Sequence, residues 1–198
     1  ITPVIALNKS DLTQPFAQAW ERLAPYRAMG YNVVPVSLSP RTDVADDGVA
    51  ALCEHLKGHT TLVLGPSGSG KSTLINRLVP DAQVETGEIS QALNSGKHTT
   101  TSTRWYWVPA LDTASARTAL IDSPGFQEFG LHHIEPTRLA QCMPDLREYL
   151  GGCKFYNCTH LHEPGCAVLA QVESDQHTGT ISARRHRIYA QLFDELSQ

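Results

Sequence analysis

The stretch Gly65-Pro66-Ser67-Gly68-Ser69-Gly70-Lys71-Ser72-Thr73 decides the reading of this chain. It fits G-x-x-x-x-G-K-[ST], with an apolar run at 60–64 that predicts a buried strand and a run at 74–78 that predicts a helix. Strand, glycine loop and helix are the context a phosphate-binding loop demands. Glycines let the backbone curl so that successive N–H groups converge on phosphate oxygens. The helix N-terminus adds unpaired N–H groups and a partial positive charge. Lys71 is expected to reach the β- and γ-phosphates and the Ser72 hydroxyl to ligate Mg²⁺, with Ser67, Gly68, Ser69, Gly70 and Thr73 completing the cradle. An ordinary Gly/Ser turn is the plain alternative, and the flanking elements oppose it.

Upstream, residues 2–7 form an apolar run that ends in Asn8-Lys9-Ser10-Asp11. This fits N-K-x-D at the end of a strand. A carboxylate at Asp11 can accept both N1–H and the exocyclic N2–H₂ of guanine, which adenine does not offer in that arrangement. Asn8 would brace the loop, and the Lys9 stem would lie over the base plane. Ser10 or Asp11 would cap a helix over 15–29, and residues 31–37 predict a second strand with a flaw at Pro35. At its end, Val36-Ser37-Leu38 would offer a backbone N–H to guanine, or be a plain strand end. A helix over 44–57, stopped by Gly58, leads into the phosphate loop.

Downstream, residues 80–102 lack periodicity and hold the run Thr99-Thr100-Thr101. Such a stretch inside a compact domain is usually functional. One of these threonines would close over Mg²⁺; spacing does not choose among them, and Thr100 is counted with the nucleotide-binding set. Residues 105–108 and 118–121 predict strands, the second running into Asp122-Ser123-Pro124-Gly125. This fits D-x-x-G: Asp122 would hold Mg²⁺ through water and the Gly125 N–H would sense the γ-phosphate. Alternating strands and helices predict a parallel α/β sheet covered on both faces, binding ligand at the strands' carboxyl ends. N-K-x-D preceding the phosphate loop inverts the usual order, which a circular permutation accommodates.

With 198 residues, the chain has room for one full domain and a small appendage. Its formal net charge of −4 advertises no global affinity for nucleic acid, so any RNA contact must be local. No apolar run approaches the ~18–20 residues of a membrane span, and no signal peptide is visible. Ile1 at the start, already in a strand-like run, predicts a fragment or processed piece. The five cysteines, three of them clustered, favour a reducing cytoplasm and a metal over disulfides. Cys153-x₄-Cys158-x-His160-x₅-Cys166 supplies three thiolates and an imidazole, a set suited to a closed structural Zn²⁺ site. His162 and His177 are alternative imidazoles. Cys53 and Cys142 are expected to be buried small apolar residues. Residues 179–196 predict a closing helix carrying Arg184-Arg185-His186-Arg187, which would meet RNA phosphates or lie on a solvated face.

The motif order, residues 65–73, 8–11, 96–101 and 122–125, and the segment 153–166 together resemble the circularly permuted RsgA (YjeQ/EngC) GTPase family, factors in late maturation of the small ribosomal subunit. The resemblance covers essentially the whole chain. It implies an α/β, circularly permuted P-loop GTPase domain over 1–134 and a small, mostly helical zinc-binding domain over 135–198. The N-terminal OB-fold of the family is absent from these residues. It further implies GTP and GDP with Mg²⁺, one structural zinc with His160 as the imidazole, and His98 orienting the attacking water. The glutamine many GTPases place after D-x-x-G is here Phe126, which cannot do so. The implied partner is the small (30S) subunit and its rRNA, for a cytoplasmic monomer. Two rival readings are a guanine-nucleotide switch with negligible turnover and a metabolic ATPase or kinase; Asn8 and Asp11 oppose the latter.

Overall fold

The computed structural model describes residues 1–39, 48–84, 103–123, 131, 133–174 and 179–198. The chain divides into two compact units, Ile1–Phe129 and Gly130–Gln198. The first holds five described strands: β1 (Val4–Leu7), β2 (Asn32–Pro35), β3 (Thr60–Val63), β4 (Arg104–Trp107) and β5 (Ala119–Asp122). Its helices are α1 (Thr13–Arg22), α2 (Ala24–Ala28), α3 (Val49–Leu56) and α4 (Lys71–Leu78).

The strands lie in two sheets rather than the single parallel one expected from the sequence. β1 and β2 pair in parallel, Leu7 opposite Pro35. β5 is the centre of the other sheet, parallel to β3 and antiparallel to β4. The antiparallel pair follows from its connection. The link from β4 to β5 is a single 3₁₀ turn, Pro109–Leu111, and a loop closed by Thr113 N–H donating to the Ala116 carbonyl, too short for a crossover.

Period-two alternation gives the β3–β5–β4 sheet two unlike faces. Leu120, fully buried, packs with Val63 and Tyr106 against Leu52, Leu56, Leu74 and Ile75 from α3 and α4. Val34, Val36 and Leu38 at the end of β2 enter the same core, so both sheets share it. On the opposite face Leu62, Trp105 and Trp107 stand exposed, with the Arg117 guanidinium 4.0 Å from the Trp107 ring centroid. Helices on both faces of this sheet are therefore not found among the described residues.

One expected helix is two. A break at Leu23 separates α1 from α2 because Pro25, in the first turn of α2, has no N–H to donate. The Arg27 guanidinium donates to the Trp20 carbonyl at 2.7 Å and lies over the Trp20 ring, bracing the bend. Neither Ser10 nor Asp11 caps α1, whose N-cap is Leu12. α3 begins after Gly48, whose φ of +70° suits glycine; the part of the expected helix before it lies outside the described residues. Cys53 is half-buried against the core, whereas Cys142 is exposed, contrary to expectation.

The second unit is mostly helical: α5 (Pro136–Leu139), α6 (Pro144–Arg147) and α7 (Ala183–Leu196), with short 3₁₀ turns between. Its core is Leu139, Met143, Leu146, Val168, Ile181 and Tyr189. α7 starts at Ala183, later than the sequence suggests, because the Ser182 hydroxyl accepts from Arg185 N–H and so caps it. Of the four-residue basic run, Arg185 turns inward. It forms a two-bond pair with Asp145, both at 2.8 Å, with only about a tenth of either side chain exposed. His186 also points inward, leaving Arg184 and Arg187 on the surface. Among the described residues no helix is long and apolar enough to cross a membrane.

Candidate nucleotide and metal sites

The loops after β1, β2 and β3 meet at the N-terminus of α4. Asn8 joins them. Its Oδ1 accepts from Lys9 N–H at 2.7 Å and Leu38 N–H at 3.1 Å, while its Nδ2 donates to the Ser69 carbonyl at 3.0 Å. One side-chain amide thus ties the Asn-Lys-x-Asp loop to the end of β2 and to the glycine loop. Lys9 adopts φ of +69°, a left-handed conformation that turns the chain sharply after Asn8. The Leu38 N–H is occupied by Asn8. The segment 36–38 also holds the first loop, with the Val36 carbonyl accepting Ser10 N–H at 3.1 Å. Ser37, buried, donates its hydroxyl to Asp11 Oδ1 at 3.0 Å and so orients that carboxylate.

Gly70 is required twice over. Its φ is +105°, and a Cβ built on it would sit 2.4 Å from Asn8 Nδ2 and 3.2 Å from a Leu38 methyl. It is also the N-cap of α4 and brings no side chain to cap it, so the first-turn N–H groups face outward to an anion. Gly68, with φ of +72°, makes the other sharp turn. Lys71 folds back, its ammonium donating to the Gly65 carbonyl at 2.7 Å and the Pro66 carbonyl at 3.1 Å. A lysine bonded to the rim of its own loop is poised to exchange those carbonyls for phosphate oxygens. A cleft of about 310 Å³ runs between the loops, lined by Asn8, Lys9, Asp11 and Leu38 on one side and Gly68, Gly70 and Thr73 on the other.

Ser67 is exposed and Ser72 half-buried at the same helix end. Asp122 closes β5 in register with Val63, just ahead of the glycine loop, and is 1% exposed. Ser123 donates to the Val63 carbonyl at 3.3 Å and fastens the two strand ends. His98, Thr99, Thr100, Thr101, Gly125 and Phe126 lie outside the described residues.

In the second unit the sulfurs of Cys153, Cys158 and Cys166 and a ring nitrogen of His160 all lie within 4.8 Å of one another. Cys153 and Cys166 Sγ are 3.9 Å apart, and each is 3.5 Å from His160 Nδ1. Tetrahedral zinc, with Zn–S of about 2.3 Å and Zn–N of about 2.0–2.1 Å, sets S···S edges of about 3.8 Å and S···N edges of about 3.5 Å. The donor set therefore fits a four-coordinate Zn²⁺. Its chemistry agrees. Burial holds His160 below the ordinary imidazole value, favouring the neutral ligand. Burial first, then the Cys166 and Cys153 sulfurs, push the Cys158 thiol up to about 12 against a hydrogen bond from the His160 backbone. A cation among the three sulfurs would offset that repulsion and favour the thiolate that ligates it. His162 is exposed and its ring stands outside the cluster, and His177 lies outside the described residues.

Sequence reasoning missed the residue that shapes this loop. Glu163 Oε1 accepts from Thr159 N–H at 2.8 Å and from the Thr159 hydroxyl at 2.5 Å. Its Oε2 accepts from Leu161 N–H at 3.2 Å and His162 N–H at 3.3 Å, and lies 3.6 Å from Cys158 Sγ. Burial works against the charged carboxylate, but these bonds, led by those from Thr159, outweigh it and hold Glu163 well below the usual carboxylate range. An acid between His160 and Cys166 was the available signal. α7 clamps the same loop: Tyr189 donates to the Thr159 carbonyl at 2.6 Å and His186 Nε2–H to the His160 carbonyl at 2.7 Å.

A glycine cradle at the head of a helix, with the Asn-Lys-x-Asp loop bonded to it yet preceding it in the chain, is the arrangement of a circularly permuted P-loop protein. This chain belongs to the RsgA GTPase family, whose model matches residues 1–132. It is 64% identical over 198 residues to the small ribosomal subunit biogenesis GTPase RsgA of Variovorax paradoxus (strain S110). It is 55% identical over 199 residues to the protein of that name from Paraburkholderia phytofirmans. Both alignments cover 100% of this chain but 60% of the relative, so the chain spans about 60% of the length of the curated relatives it matches. Among solved structures it is similar to YloQ, described as a circularly permuted GTPase, with TM-score 0.65 and 29% identity over 98% of this chain and 57% of that one. It is likewise similar to YjeQ from Thermotoga maritima, with TM-score 0.72 and 26% identity over 99% of this chain and 60% of that one.

Two outcomes follow from this geometry. Gly70→Ala is expected to abolish binding of a fluorescent guanine nucleotide, because the new methyl displaces Asn8 and strains the loop. Retained affinity would refute the close approach. Glu163→Gln, which places an amide among N–H donors, is expected to weaken zinc by about 10–100-fold in a chelator competition. Unchanged zinc affinity would show that the carboxylate shapes nothing the metal needs.

Proposed function

We propose that this chain is the catalytic part of a GTP-hydrolysing assembly factor that acts in late maturation of the small (30S) ribosomal subunit. The observation that carries this is the cleft in which Asp11 and the glycine loop face each other, joined by the Asn8 amide. In this reading residues 1–134 bind GTP and GDP, and residues 135–198 form a zinc-bearing unit that meets the subunit and its rRNA. The factor works in the cytoplasm as a monomer.

The proposed roles follow the chemistry of each residue. Asp11, held by Ser37, accepts the guanine N1–H and N2–H₂, and Asn8 and Lys9 brace and cover the base. Backbone N–H groups from Ser67 to Thr73 take the β-phosphate, and Lys71 moves from the loop carbonyls to the β- and γ-oxygens. Ser72, Asp122 and Thr100 would hold Mg²⁺, which supplies charge neutralisation across the β- and γ-phosphates when bound. Gly125 would sense the γ-phosphate, and His98 would orient the attacking water. Cys153, Cys158, His160 and Cys166 would hold one structural zinc, leaving no open position for catalysis. The loop 122–125 leads directly into the zinc-bearing unit, so a γ-phosphate that moves it would shift that unit.

A second reading, a guanine-nucleotide-dependent switch with negligible turnover, is supported by Phe126 after D-x-x-G. Phosphate release measured with and without purified 30S subunits separates the two. Slow turnover alone, in the range of roughly 10⁻⁴–10⁻² s⁻¹, with strong stimulation by subunits, is the expected result. No stimulation would sink the assembly-factor reading. Asp11→Asn is expected to shift preference from guanosine to xanthosine nucleotides; unchanged preference would remove Asp11 from base selection. His98→Ala is expected to lose subunit-stimulated turnover while nucleotide affinity is kept, and an unchanged rate would end its catalytic role.

A further inference from the structure

Between two of the metal-ligating cysteines lies the segment Lys154-Phe155-Tyr156-Asn157. Its side chains do not pack into the core. Tyr156 is fully exposed, with a relative accessibility of 103%, and Phe155 is exposed at 41%. Two large aromatic side chains in water next to each other forgo the burial that ordinarily stabilises such residues. The segment is nevertheless built with care. It is anchored at both ends by Cys153 and Cys158, Lys154 N–H donates to the Gly165 carbonyl at 3.0 Å, and Cys158 N–H donates to the Phe155 carbonyl at 3.3 Å. The Lys154 ammonium stands 5.5 Å from the Phe155 ring centroid.

Charge narrows the choice of partner. Residues 149–162 contain no carboxylate, and Lys154 is their one fixed charge. The nearest acid in sequence on that side, Glu163, spends both oxygens on backbone N–H groups and the Thr159 hydroxyl within the loop. The segment 154–157 itself therefore presents two exposed aromatic rings and a cation and carries no carboxylate. Aromatic faces bind unpaired bases by stacking, tolerant of sequence, and an adjacent lysine serves the backbone phosphate.

We propose that Phe155 and Tyr156 form a stacking platform for unpaired RNA bases, with Lys154 on the neighbouring phosphate. This rests on the reading of the chain as a factor that works on an RNA-rich particle, and it names the surface and the kind of RNA that would be touched. The platform selects single strands over duplex, because a stacked base in a helix has no free face to give.

The test uses the full chain loaded with zinc and a short fluorescein-labelled single-stranded RNA, followed by anisotropy. Tyr156→Ala and Phe155→Ala are each expected to weaken binding about 5- to 100-fold, whereas Tyr156→Trp keeps it. Lys154→Ala is expected to lower the slope of log affinity against log salt by about 0.7. The same RNA annealed into a duplex is expected to bind more weakly. Zinc content, measured on every variant, separates loss of the platform from loss of the loop. Failure of the parent chain to bind the single strand, or Tyr156→Ala binding as well as the parent with zinc intact, would overturn the proposal. Neither result touches the guanine-nucleotide assays, so the broader reading stands or falls separately.

Discussion

The first unit depends on one short-range constraint: a side-chain amide must reach a carbonyl sixty-one positions along the chain. Asn8 satisfies Lys9, Leu38 and Ser69 at once, and it does so only because Gly70 leaves the space a methyl would fill. The shared core makes this contact possible. Leu38 and Ile75 bury the roots of two of the loops against the same interior, so the loop ends cannot drift apart without opening that core. The site is therefore a surface expression of how the two sheets share a hydrophobic centre.

The second unit is organised differently. Its core is small, and its loops are fixed by polar bonds to backbone groups rather than by burial alone. Glu163 collects the donors of the knuckle, Tyr189 and His186 serve its carbonyls, and Arg185 pairs with Asp145 near the base of α7. A nearly buried ion pair is weak evidence for added stability, since desolvation offsets its attraction. What it does supply is a defined docking geometry for α7 against α6. That geometry brings Tyr189 and His186 to the knuckle.

The features legible in the sequence were those carried by local chemistry. The strand, glycine loop and helix around 65–73, the Asn-Lys-x-Asp turn and the four metal-type ligands each announce themselves within a few residues. Partnerships across the chain did not. The pairing of β4 and β5 in opposite senses depends on a short turn whose consequence appears only with both strands in place. The break at Leu23 came from Pro25, a signal in plain view that the expected helix over 15–29 ran through. Arg185 belongs to a run that reads as solvated surface, and only the position of Asp145 forty residues earlier turns it inward. Glu163 left a fainter mark: an acid stood between His160 and Cys166, but most of its donors are backbone N–H groups, which the side-chain pattern does not show.

The clamping of the knuckle by α7 makes the last fourteen-residue helix sensitive to events it does not itself perform. Its anchors are the carbonyls of Thr159 and His160, and the shape of that loop is what the four ligands share. Withdrawing a cation from that loop would loosen those acceptors and, with them, the grip on α7. Metal loss would then be felt inside this unit as fraying of a helix that contributes no ligand.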